Sequence, residues 1–338
     1  MTIDKDSILK NEELKLKIDE LKNELDVSIV AHFYQKDEVF DMADFTGDSL
    51  ELAKWAAKDE KPNLIFCGVG FMGQSVKILA PNKRVFMPKI ACCAMARMID
   101  VDYFDDNIKI LENVGIKKED IMPVTYINSS AEVKARVGEM GGYVCTSSNA
   151  KQIITKALES GKKILFVPDR CLGQNIAIDM GFKSCVIGDG IDPNSVDIIC
   201  YNGFCSVHQL FEVEDIEFYR QKYPDILIVT HPECKPEVCA KSDFVGSTSK
   251  IIKYIKELPI EQKIAVGTEF NMVNRLREKN TFILSSTKPE CPTMNETTLE
   301  DLYSTLISIK EKRYENEIII SEEVRKNSYL ALNRMFEI

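Results

Sequence analysis

The chain has 338 residues, 45% of them hydrophobic and 28% charged, with a formal net charge of −10. This balance excludes a disordered chain and fits two or three compact units. The acidic surplus argues against a broad nucleic-acid or acidic-membrane surface, which needs clustered Lys and Arg, and leaves room for local anion sites built from backbone N–H groups. No apolar run approaches the roughly 18 residues of a membrane span, and residues 1–26 lack the apolar stretch of a signal peptide, so a cytoplasmic protein is expected. Eleven cysteines in that setting read as reduced thiols, and the absence of a CxxC spacing weakens zinc-ribbon and thioredoxin-like readings. They remain open to two roles, small buried hydrophobes or scattered ligands of a metal cluster.

In chain order, Leu14, Ile18, Leu21 and Leu25 repeat at helical spacing and predict a helix laid against the core rather than a dimerisation seam. Val27–Gln35 is an apolar β-type run ending in His32 and Tyr34, and Glu38-Val39 opens a helix soon after. Asp48-Ser49 precedes a helical stretch over 50–57, Cys67-Gly68-Val69-Gly70 precedes one over 75–79, and Arg84–Met87 reads as a further strand. The pattern then recurs. Met122–Ser129 ends in Tyr126 and Asn128 before Glu132-Val133, a strand ending at Cys145–Asn149 leads into a helix over 151–158, and Lys163–Val167 follows as a strand. Ile226–Cys234 ends in His231 and Glu233 before Glu237-Val238, Val245–Ser249 leads into a helix over 250–255, and Lys263–Val266 closes the third copy.

Three copies of strand, polar pair and helix at matching offsets predict an α/β fold: three similar parallel-sheet domains in a pseudo-threefold triangular arrangement around a central active-site cavity. The expected boundaries are 1–105, 106–214 and 215–301, with C-terminal helices over 302–338 returning to the first domain. Residues two apart on a strand share a face, and parallel sheets bind ligands beyond their carboxyl ends, so the three polar pairs would converge. Two of the three histidines, His32 and His231, hold equivalent positions. The hydroxyl-rich junctions at Ser147 and Thr248 suit anions at helix N-termini, although plain capping is the commoner role for any one such Ser or Thr. No dinucleotide or P-loop motif is present.

Several stretches, AHFYQ (31–35), DMADFTGDSLELA (41–53), TYINSSAEVKA (125–135), GFCSVH (203–208), HPECKPEVCAKSDFVGSTS (231–249) and ECPTM (290–294), resemble the quinolinate synthase family in composition and order. The resemblance implies one [4Fe–4S] cluster on three cysteines, one per domain, here Cys93, Cys205 and Cys291. The sequence leaves Cys92 as a competing thiol beside Cys93, and Arg97 stands where the family usually has an acidic residue. It further implies condensation of iminoaspartate with dihydroxyacetone phosphate, with functional coupling to L-aspartate oxidase. Carried over residue by residue, Tyr34, Glu233, His32 and His231 are the expected catalytic groups. Ser49, Tyr126, Asn128, Ser147, His208 and Thr248 join His32, His231 and Glu233 in substrate binding. Three alternatives stay open: a zinc or iron hydrolase using His32, His231 and Glu233, another Fe–S hydro-lyase, and a non-catalytic binding protein.

Overall fold

The computed structural model describes residues 5–338, with side chains from Lys10 onward. Helix α1 (Lys5–Glu24) presents Ile18 and Leu21 to the core, as its leucine spacing requires. The first repeat then runs β1 (Val27–His32), α2 (Asp37–Phe40), β2 (Phe45–Gly47), α3 (Ser49–Lys58), β3 (Asn63–Cys67), α4 (Gly70–Leu79) and β4 (Arg84–Phe86). The second contains α5 (Val101–Asn113), β5 (Ile121–Tyr126), α6 (Ala131–Glu139), β6 (Tyr143–Cys145), α7 (Ala150–Leu158), β7 (Lys163–Val167), α8 (Arg170–Met180), β8 (Ser184–Val186) and β9 (Ile198–Cys200). The third contains α9 (Val213–Lys222), β10 (Leu227–Thr230), α10 (Pro236–Ala240), β11 (Phe244–Val245), α11 (Thr248–Glu257), β12 (Ile264–Gly267), α12 (Phe270–Arg275) and β13 (Thr281–Ile283). Two helices follow, α13 (Leu299–Lys310) and α14 (Glu322–Arg334).

The three sheets are ordered β2-β1-β3-β4, β6-β5-β7-β9-β8 and β11-β10-β12-β13, and every strand pair is parallel. The same order recurs each time, with β8 added at the edge of the second sheet, so three similar parallel-sheet α/β units are present. Helices on the faces explain why β1 and β5 are buried along their whole length rather than in alternation.

One expected correspondence is corrected. The strand ending at Cys67 is the equivalent of β7 and β12, not of β6 and β11, and the true partner of those short edge strands is β2. Three residues, Phe45-Thr46-Gly47, are too few to show a strand period, so the sequence pattern skipped to the next apolar run. The corrected register aligns Asp48-Ser49 with the Ser147 and Thr248 junctions.

The chain divides into two compact units, residues up to Cys92 with Cys291–Ile320, and Cys93–Glu290 with Ser321–Ile338. In the first, Leu302 and Leu306 of α13 pack on Ile18 and Leu21 of α1, each such buried side chain contributing roughly 1.5–3 kcal/mol. The C-terminal segment, expected to return as a whole to the first domain, splits: α13 does so, whereas α14 packs on α6 of the second sheet. Gly138 permits this, because a Cβ there would lie 1.9 Å from the carbonyl oxygen of Asn327. Asn327 Nδ2 donates to Glu139 at 2.8 Å and Arg334 Nη1 to the Gly142 carbonyl at 2.8 Å, fixing the docked helix.

Candidate active site

In the unit holding the second and third sheets, the site is built on strand ends. The backbone carries Glu233 just past β10, where the turn is closed by the Cys234 N–H on the His231 carbonyl at 3.0 Å and the Glu233 N–H on His231 Nδ1 at 3.3 Å. The Glu233 carboxylate accepts from the Tyr126 hydroxyl at 2.6 Å and faces His208 Nδ1 at 2.9 Å. His208 stacks on His231 with ring centroids 4.6 Å apart, and its Nε2 meets Thr268 Oγ1 at 3.1 Å. Thr268 thereby orients the imidazole, leaving Nδ1 toward the carboxylate.

Glu233 is 4% exposed. Burial alone would raise its pKa, but the charges of His208 and His231 and the hydrogen bonds from His208 and Tyr126 outweigh it and hold the carboxyl down at about 2. Asp169, past the end of β7, goes the other way. Burial and then the Glu233 charge push its pKa well above the usual carboxylate range. Its Oδ1 caps α8 by accepting from the Leu172 N–H at 2.7 Å, while Oδ2 is buried without a partner. Two neighbouring carboxyls are thus shifted in opposite directions.

Of the expected residues, Tyr126, His208, His231 and Glu233 are brought together. Asn128 is half-buried at the tip of the turn after β5. Ser147 lies in the turn before α7, and Thr248 is buried as the first residue of α11, whose cap is Ser247. Ser148 Oγ donates to Ser247 Oγ at 2.9 Å, joining those two junctions.

The other unit repeats the first part of this design. His32 is buried and its Nδ1 accepts the Tyr34 N–H at 3.2 Å, matching the His231–Glu233 turn. The two rings meet edge to face at 4.7 Å. Ser49 opens α3 behind a capping box of Asp48 and Glu51. Gln35, buried beside this turn, donates to the Met294 carbonyl at 2.9 Å, tying it to the segment that carries Cys291.

Cysteine burial sorts the eleven thiols. Seven are buried, and burial pushes Cys67 and Cys239 up to about 12, Cys171 and Cys185 to about 11, and raises Cys145, Cys200 and Cys234 as well. The four that are not buried are Cys92, Cys93, Cys205 and Cys291. Three of these share one local structure. Cys93, Cys205 and Cys291 each precede a 3₁₀ turn, at Ala96–Met98, His208–Leu210 and Met294–Glu296. The carbonyl of each accepts the amide four residues on, from Arg97, Gln209 and Asn295 at 3.1–3.2 Å. Each then leads through a cap, Asp100, Glu212 or Thr298, into α5, α9 or α13. Cys93, not Cys92, holds the equivalent position. In the larger unit, Phe204 N–H reaches Met98 Sδ at 3.5 Å and the Tyr201 hydroxyl donates to the Met98 carbonyl, so the Cys93 and Cys205 segments are latched together.

The donor set therefore fits an iron–sulfur cluster: three accessible thiols in equivalent turns, apart from the thiols that burial keeps protonated. Cys205, His208 and Glu233 also place ligand atoms within 4.8 Å of one another.

Sequence reasoning missed Asp169, Thr268 and Lys134. The first two lie beyond β7 and β12, strands that do not end in the polar pair carried by β1, β5 and β10. Lys134 reads in the sequence as an ordinary helix lysine.

Parallel sheets with buried titratable groups past their strand ends define an α/β enzyme. The model of the quinolinate synthetase A protein family matches residues 16–337. A quinolinate synthase of Helicobacter pylori is 54% identical over 332 residues, covering 96% of this chain and 98% of that protein. Those of Acidobacterium capsulatum and Streptomyces coelicolor are 40% and 39% identical, covering 92% and 91% of this chain and 88% and 84% of their own lengths. The chain belongs to the quinolinate synthase family.

Proposed function

We propose that the protein condenses iminoaspartate with dihydroxyacetone phosphate to give quinolinate, phosphate and two waters, as a transferase of NAD biosynthesis working in the reducing cytoplasm. The convergence of Cys205, His208 and Glu233 carries this reading, because it puts a thiolate ligand beside a buried acid–base pair. When bound by Cys93, Cys205 and Cys291, a [4Fe–4S] cluster supplies an open iron that acts as a Lewis acid on a hydroxyl or carbonyl oxygen.

The chain's own groups do the rest. Glu233, bonded by the Tyr126 hydroxyl and facing His208, is the group that exchanges a proton with the substrate. Tyr34 is the matching donor in the first repeat, with His32 bonded to its amide. His32 and His231 bind substrate and help move protons, and His208, already engaged by Glu233 and Thr268, tunes the pair and borders the anion. Tyr126 and Asn128 position the substrate, and Ser49 and Thr248 at helix starts, with Ser147 in the turn before α7, hold its anionic groups. Iminoaspartate is an unstable imine, so an oxidation of L-aspartate must supply it, which favours coupling to L-aspartate oxidase.

Glu233→Gln tests the reading. Quinolinate formation in a single turnover of anaerobically reconstituted protein should fall by about 10²–10⁴-fold while the cluster absorbance stays. A near-normal rate would remove Glu233 from the chemistry. Iron and sulfide at about four each per chain check the cofactor, and zinc without sulfide would overturn it.

A further inference from the structure

Lys134 is wholly buried on α6, four residues after the cap Ser130, where the positive end of the helix dipole opposes a cation. Its Nζ donates to the carbonyl of Ile127 at 2.8 Å and to that of Ser129, the residues on either side of Asn128. The Ser129 N–H also bonds the Ile127 carbonyl at 2.8 Å, so Asn128 sits at the apex of a three-residue turn. The Ser129 hydroxyl adds a bond to the Tyr126 carbonyl at 3.0 Å.

The other repeats close the corresponding turn differently. There His32 and His231 accept the second amide of the turn on Nδ1, a role Tyr126 cannot fill. The positions matching Lys134 are Phe40 and Cys239, and the Cys239 thiol lies 3.6 Å from the Cys234 carbonyl, the counterpart of that of Ser129. The fold thus uses uncharged residues at this place twice. A lysine appears only beneath Asn128, and burial draws its pKa down to about 7.

We infer that Lys134 is a positioning residue for the reaction: by clamping the carbonyls on both sides of Asn128, it sets the direction in which that side chain meets the substrate. A buried donor bonded to two carbonyls costs free energy that an apolar residue would not, and here it fixes a turn that otherwise lacks its imidazole. The inference rests on the assignment of Asn128 to substrate binding.

The experiment compares Lys134→Met, close in length but without a donor, and Lys134→Gln, which keeps two amide hydrogens, with the parent as reconstituted full-length protein. Quinolinate kinetics, iron content and hydrogen exchange at 127–130 are read together. Lys134→Met should load iron normally, exchange faster at Asn128 and Ser129, and raise KM for a substrate about ten- to a hundredfold with kcat within a few-fold. Lys134→Gln should recover part of the KM. Unchanged KM, a fall in kcat alone, or failure of both variants to fold would make Lys134 a structural staple only and overturn the inference. If the parent itself forms no quinolinate, the assigned reaction falls, and the exchange comparison still reports whether the clamp exists.

Discussion

At the scale of single residues, register decides chemistry. Cys92 and Cys93 are adjacent and differ little by type, yet only Cys93 shares the carbonyl-to-amide closure seen at Cys205 and Cys291. Cys93→Ala should therefore lose the broad visible absorbance after anaerobic reconstitution, and Cys92→Ala should keep it; the reverse result would place the ligand one residue earlier. Lys134 gives a pH test of its burial. Its pKa is about 7 in the folded chain against an ordinary 10.5, so between these values the unfolded state holds more protons. Stability from this group then rises with pH across that window. The melting temperature of the parent relative to Lys134→Met should climb from pH 7 toward pH 10, and a flat difference would show that the amine is charged throughout. The strand-end residues Tyr126, His231 and Glu233 were visible in the sequence, because period-two projection puts them past a recognisable apolar run. The 2.6 Å bond from Tyr126 to Glu233 was not, because it joins two different sheets.

At the scale of elements, helix α14 shows how one missing Cβ chooses a docking site. Gly138→Ala would drive a methyl group into the Asn327 carbonyl, and overpacking of this kind costs about 1–3 kcal/mol. Its melting temperature should drop by several degrees without loss of iron, and an unchanged value would mean that α14 shifts freely on α6. Strands β1, β5 and β10 were legible from apolar runs, and α1 from its leucine spacing. Edge strand β2 escaped, since three residues carry no period and their parallel pairing with β1 is a long-range choice.

At the scale of the whole molecule, the proposed cluster ligands Cys93, Cys205 and Cys291 come from segments far apart in the chain, so loading on all three should stabilise the native state by mass action. Removing iron with a chelator should lower the melting temperature of the parent, and Cys291→Ser should abolish that difference. Equal melting of loaded and stripped parent would argue that Cys291 does not share a ligand with Cys93 and Cys205.

The sequence by itself determined the three repeats, their parallel α/β character and the strand ends that carry His32, Tyr126, His231 and Glu233, because these follow from local periodicity and from offsets along the chain. Only the tertiary structure decided which cysteines are buried as core thiols, that the Glu233 carboxyl is shifted down while that of Asp169 is shifted up, and that Lys134 is buried beneath Asn128. Those outcomes depend on desolvation and on charges brought in from other strands, and neither is encoded in the spacing of neighbouring residues.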